Sequence, residues 1–294
     1  VIHVRERAMP RTAQLVALVA AFSSAGATIL IRQGLRGGGP LAGFWINLAV
    51  GTAGLWVAVL ATGGIGRVSI VGFALFALAG LIGTMGGRLL RFVSIEKVGA
   101  SISAALTNLN PLISSGLAIL LLGERVTQAI VAGTVVIVVG TTLLSWGGRH
   151  IGVRPAQLAL PVLSAVCFGV VAVLRKVGLG HVGAVAGSAV NVSTALIGFT
   201  AFLLASGRQD AIRCRGRSLG LFVAAGVAEN AGVFLNVVAL GHGTVSVVAP
   251  LYGSSPIFVL LLSSFFLRGV EVLSGRIVAG TALIVLGVYL ITAL

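Results

Sequence analysis

A chain of 294 residues that is 57% hydrophobic and 9% charged cannot cover a water-soluble globule, because soluble domains carry roughly 25% charged residues. With a mean hydropathy of +1.13, lipid is the expected solvent. The formal charge of +14 would suggest nucleic acid if clustered on a soluble face. Here the arginines stand singly or in small groups between apolar runs, so they read as loop charges facing headgroups and water, and nucleic acid is not an expected partner.

The apolar runs fall at about 13–31, 41–62, 68–90, 100–122 and 128–146, then at about 158–174, 182–205, 219–240, 244–267 and 273–293. Each approaches the roughly 20 residues needed to cross the hydrocarbon core as a helix. The first run follows Arg5, Arg7 and Arg11 and so mimics a signal peptide. With nine more runs behind it, a retained helix is the expectation. The longest polar connection, 206–218, leaves no room for a soluble domain. The 42 glycines suit close helix packing in lipid. Cys167 lies inside a run and Cys214 in a connection, which gives neither a disulfide framework nor metal-ligand spacing.

The halves repeat. Ile130-Val131-Ala132-Gly133-Thr134 returns as Ile277-Val278-Ala279-Gly280-Thr281, and Gly140 returns as Gly287, both 147 residues later. Asn47 and Gly54 correspond to Asn191 and Gly198, Gly26 and Arg32 to Gly169 and Arg175, and Pro111 to Pro256. Five spans is an odd number, so the second copy enters the membrane upside down. The fold expected is therefore all-α and integral to the membrane: ten transmembrane helices as two inverted five-helix repeats, 1–149 and 150–294. Such a pair builds a substrate site near the midplane in secondary transporters, an arrangement that a receptor or an anchor does not need.

The chain resembles the drug/metabolite transporter superfamily in its ten-helix EamA form. The resemblance rests on Ala100-Ser101, Asn110-Pro111 and Leu122-Gly123-Glu124-Arg125-Val126-Thr127, and on a weaker second copy, Val245-Ser246, Ser255-Pro256 and Gly269-Val270-Glu271. It implies a multi-pass protein of the cell membrane that exports or exchanges small metabolites such as amino acids, sugars or nucleotide sugars. A small-molecule substrate and the bilayer are the expected partners, with a homodimer left open. The family's usual arrangement puts both termini in the cytoplasm. Counting Lys and Arg argues the other way, chiefly because Arg208, Arg213, Arg215 and Arg217 share one connection.

Glu229 is the most informative residue, an ionisable group near mid-depth of the eighth span, where it must face protein or water. It reads either as a proton-coupling or amine-binding carboxylate, or as a buried structural one. Glu229, Gly232 and Asn236 share one helical face. The repeat equivalents of Glu229, Val233 and Asn236 are Thr84, Arg88 and Arg91 on the third span, and pseudosymmetry brings the two faces together. Arg88 then suits an acid group and Glu229 an amine, in a zwitterionic or anionic metabolite. The alternative is that Arg88 and Arg91 occupy the last turns and snorkel to the interface.

Pro111 and Pro256 are expected to interrupt the fourth and ninth spans, freeing the carbonyls of Thr107 and Tyr252. Asn108 and Ser115 extend one polar stripe and Tyr252 and Ser254 the other, lining a cavity or bonding locally around a kink. Asn47 and Asn191 read as interhelical hydrogen bonders, Glu124 as a helix-end cap or a gate, and Gly133, Gly140, Gly280 and Gly287 as packing faces of the fifth and tenth spans. No catalytic or metal motif appears, and His3, His150, His181 and His242 are scattered. No enzyme activity or cofactor is expected, and without a nucleotide-binding loop the energy comes from a gradient or from exchange. Three other readings stay open: a lipid or lipid-phosphate flippase, a membrane enzyme acting on a lipid-linked substrate through Glu229 and the arginines, and a membrane module that transports nothing.

Overall fold

The computed structural model describes residues 11–66, 69–98, 103, 106–124, 126–145, 155–266 and 275–292. His3, Arg5, Arg7, Ala100, Ser101, Arg125, His150, Gly269, Val270 and Glu271 lie outside them. The described residues are helical with short connections. In chain order the helices are α1 (Arg11–Gly34), α2 (Pro40–Ala61), α3 (Ile70–Val98), α4 (Asn110–Leu122), α5 (Gln128–Ser145), α6 (Pro155–Gly178), α7 (Ala184–Ala205), α8 (Gly216–His242), α9 (Val245–Gly253), α10 (Ser255–Phe266) and α11 (Gly275–Thr292). A 3-10 turn, Gln209–Ile212, lies between α7 and α8.

Local signals fix several ends. Pro40 opens α2, where its missing N–H costs nothing. The Ser69 hydroxyl caps α3 by accepting the Gly72 N–H at 3.0 Å. Gly123, at φ +64°, closes α4 in the left-handed conformation that glycine adopts without strain.

Six of these helices are long and apolar enough to cross a membrane: α1, α2, α3, α6, α7 and α8. Four shorter apolar stretches, Asn110–Leu122, Gln128–Leu143, Val245–Val259 and Ala282–Ile291, complete the bundle. The molecule is inside-out relative to a soluble fold. Ile70 is 89% exposed and Leu120 80% exposed, whereas Asn47, Thr84, Arg88, Asn191 and Glu229 are buried. Large apolar side chains pointing outward and polar ones inward are what a lipid solvent selects. The chain is a multi-pass membrane protein.

The helices pack reciprocally. α1 lies along α8 and α6 along α3; α2 also meets α8, as α7 meets α3; α1 touches α9 and α10, as α6 touches α4. The pairs α2–α7, α4–α9 and α5–α11 close the pattern. At the α5–α11 seam the backbones nearly touch: a Cβ on Gly133 would come within 2.8 Å of the Gly287 carbonyl oxygen, and one on Gly287 within 2.7 Å of the Gly133 oxygen. The glycines expected to form packing faces lie at this seam. Gly133→Leu is expected to lower stability by about 1–3 kcal/mol through overpacking. Gly54→Ala, with nothing within 4 Å, is the control that should change little. Unfolding of the purified protein in detergent checks both.

One expectation about helix ends changes, and the breaks near the two prolines take a definite form. The third span runs eight residues beyond the expected end, to Val98, because its arginines end the apolar run without ending the helix. Arg88 therefore lies well inside the helix. The fourth span is broken beside Pro111: residues 106 and 107 are helical, 108 and 109 form a turn, and Pro111 lies at the start of α4. Likewise Ser254 is the turn between α9 and α10, and Pro256 is the second residue of α10. Proline at a helix start gives up no hydrogen bond, so a break followed by a fresh start is the less costly arrangement.

Candidate functional site

A cavity of about 110 Å³ lies among α1, α3, α6, α8 and the broken helices. On α3, residues Gly80–Gly87 are wound as a π-helix, a wider turn that recurs at functional positions. This stretch leads directly into Arg88. The cavity is lined by Thr84, Arg88 and Arg91 from α3, Glu229 and Asn236 from α8, Tyr252 from α9, and Asn108 from the turn before α4. Six of the seven candidate substrate-site residues thus share one space. Ser254 does not line it: its hydroxyl donates to the Leu251 carbonyl at 2.7 Å.

The charged groups are tightly arranged. Arg91 Nη1 donates to Glu229 Oε1 at 3.0 Å and Arg91 Nη2 to the Thr28 hydroxyl at 2.5 Å. Arg88 Nε stands 4.0 Å from the same carboxylate oxygen, and both side chains of that pair are 3% exposed. Arg88 Nη1 donates to Asn47 Oδ1 at 2.8 Å and to Asn230 Oδ1 at 3.3 Å. The α3 and α8 faces matched by the repeat register do meet, and the shorter contact to Glu229 is made by Arg91. Glu229 Oε2 and Asn236 Oδ1 are buried with no hydrogen-bond partner among the described residues.

Asn47 and Asn191 act as equivalent supports. Asn47 Oδ1 accepts from Arg88 and from Asn230 Nδ2. Asn191 Oδ1 accepts from the Thr84 hydroxyl at 2.6 Å and from Arg175 Nη2 at 3.3 Å. Arg175 also lines the cavity, a role that its sequence context does not announce. Its repeat match to Arg32 is the one signal it carries, and its position just past the end of an apolar run conceals it.

The two helix breaks face each other. A Cβ on Gly253 would meet Pro111 Cγ at 2.8 Å and Asn108 Oδ1 at 3.1 Å. The Thr107 carbonyl accepts from Asn110 Nδ2 at 3.3 Å, and Asn108 Nδ2 donates to the Thr141 hydroxyl at 2.7 Å. Ser115 lies away from the cavity, and its hydroxyl has no partner among the described residues. Glu124 ties the end of α4 to the start of α9: its carboxylate accepts the Val245 and Ser246 backbone N–H groups at 2.9 and 3.0 Å, and also bonds the Ser246 hydroxyl. A carboxylate at a helix N-terminus satisfies otherwise unpaired donors. At the same corner Lys176 Nζ donates to the Leu240 and Gly243 carbonyls.

Comparison with known proteins follows the same outline. The family model described as the EamA-like transporter family matches twice, over residues 11–146 and 156–293. Twenty-nine chains of solved structures match. One, a crystal structure described only as that of a protein, superposes with a TM-score of 0.80 at 19% identity, over 96% of this chain and 97% of the other. That likeness is one of fold alone. No curated protein matches the chain.

Proposed function

The chain belongs to the EamA-like transporter family, and from that premise we propose that it is a secondary active carrier of a small polar metabolite, such as an amino acid or a related compound, working by alternating access. Membership marks it as a membrane transporter rather than an enzyme. The finer reading is of ten spans in two inverted five-helix units, with the substrate held between them. Its support is the double family match, the reciprocal packing of α1–α8 and α6–α3, and the odd number of spans expected per unit.

The observation that carries the reading is the cavity at the meeting of the two broken helices, with the charged Arg88, Arg91 and Glu229 in its wall. Helix breaks at membrane depth are tolerated where protein or a wet cavity satisfies the backbone, and in inverted-repeat carriers such breaks build the site. We read Thr84, Arg88, Asn108, Glu229, Asn236 and Tyr252 as substrate-facing, and Ser254 as the turn that positions Tyr252.

Glu229 is the proposed proton-coupling group. Arg88 and Arg91 on α3 and Tyr252 on α9 share its cavity, and its Oε2 is without a partner among the described residues. The test is Glu229→Gln in proteoliposomes. Accumulation driven by a pH gradient is expected to disappear, while exchange of substrate between two equal pools continues. A variant that still answers the pH gradient as the wild type does removes Glu229 as the coupling group. A wild-type protein that exchanges no amino acid, sugar, nucleotide or organic anion across the bilayer removes the carrier reading itself.

A further inference from the structure

The charges in the cavity do not balance. Among the described residues its wall holds three guanidinium groups, Arg88, Arg91 and Arg175, against one carboxylate, Glu229. Arg91 and Arg88 share that carboxylate. Arg175 Nη2 meets only neutral oxygens, Thr84 Oγ1 and Asn191 Oδ1, both at 3.3 Å, and its Nε has no partner among the described residues. The residue is 9% exposed. A buried cation without a counter-charge is costly in protein and in membrane alike.

Beside Arg175 is a second void of about 10 Å³, shared with Arg88 and bordered by Ser188, Asn191 and Asn230. The Ser188 hydroxyl and Asn191 Nδ2 also lack partners among the described residues. Around this void, then, the groups left over are donors: Arg175 Nε–H, the Asn191 amide and the Ser188 hydroxyl. A space of this size takes about one oxygen-sized atom, a water or one oxygen of a ligand, and the donors around it call for an acceptor.

We propose that the transported substrate is an organic anion whose carboxylate or phosphate is anchored by Arg175, one of its oxygens occupying the small void and accepting from Ser188 and Asn191. The inference rests on the carrier reading and narrows it. With Arg91 paired to Glu229, Arg88 and Arg175 leave the site cationic. A neutral or positively charged metabolite leaves that charge uncompensated in the occupied state; an anion neutralises it. The same donors also suit chloride, so the experiment separates the two sources.

The full-length protein is purified in detergent in low-salt, chloride-free HEPES buffer. Its thermal midpoint is followed against succinate, glycerol 3-phosphate and chloride, with neutral succinamide and cationic 1,4-diaminobutane as controls. Succinate or glycerol 3-phosphate is expected to raise the midpoint saturably while both controls leave it unchanged. Arg175→Gln is expected to weaken the apparent affinity at least tenfold, and Arg175→Lys to keep part of it. Protection by chloride alone, equal protection by the controls, or unchanged affinity in Arg175→Gln overturns the proposal. Should Arg175→Gln fail to fold, the wild-type series decides. Counterflow in proteoliposomes separates the two levels of the argument. Anions that bind, with no exchange of any of these solutes, overturn the carrier reading and leave the anion site standing. Exchange confined to alanine or 1,4-diaminobutane overturns the anion inference and leaves the carrier standing.

Discussion

Glu229→Ala is expected to lower stability by about 3–5 kcal/mol, the range for removing one partner of a buried ion pair. The size follows from what stays behind. With Glu229 gone, Arg88 and Arg91 face the cavity beside Arg175, and no carboxylate lines it among the described residues. Arg91→Ala should cost less, because Arg91 is 17% exposed on its side chain and Arg88 still stands 4.0 Å from the remaining carboxylate. The double variant should then be more stable than the two single losses added together, by roughly 1–3 kcal/mol of coupling. Unfolding of the four proteins in detergent by a denaturant series measures the cycle. Strict additivity would mean that the 3.0 Å contact between Arg91 and Glu229 carries no energy, and the electrostatic account of the site would go with it.

Much of the molecule is legible in the order of its residues, because lipid imposes simple rules. Apolar runs mark helices, and an ionisable residue in such a run marks an interior surface. The repeat register then pairs the face of Glu229 with that of Thr84, Arg88 and Arg91, and the two faces line one cavity, where both arginines approach Glu229. The features that residue order conceals follow from the same rules. Hydropathy ends a span wherever arginines begin, so α3 reads as finished near Leu90 although it continues to Val98. The same bias makes Arg175 read as interfacial, whereas packing of α6 against α3 buries it. The π-helical stretch at Gly80–Gly87 leaves no signature in residue type, since it depends on which backbone carbonyl each N–H reaches. The form of the breaks at Pro111 and Ser254 stays hidden for a related reason: a proline marks a break, but not on which side of it the helix resumes.

Arg88→Ala is expected to weaken the apparent affinity for a counterflow substrate by tenfold or more, since a hydrogen bond to a charged group contributes about 1.5–3 kcal/mol. The same variant should lose stability, because Arg88 ties α3 to two other helices: α2 through Asn47, and α8 through Asn230 and the Glu229 carboxylate. Stability and affinity must therefore be read separately. Arg88→Lys separates them in part. Its ammonium keeps the charge but lacks the planar fork that reaches Asn47 and Asn230 from one nitrogen while a second faces Glu229. If the site works by charge alone, lysine restores affinity nearly in full. If it works by geometry, lysine restores stability more than affinity, and the deficit appears as a raised KM at nearly unchanged maximal flux. An Arg88→Ala protein that folds, exchanges substrate and shows wild-type affinity would remove Arg88 from the binding surface, leaving it as a brace between α2 and α8. The two amides held by Arg88 cannot distinguish these outcomes on their own, because a brace and a ligand group both need a fixed guanidinium. Only the substrate's response to its removal does.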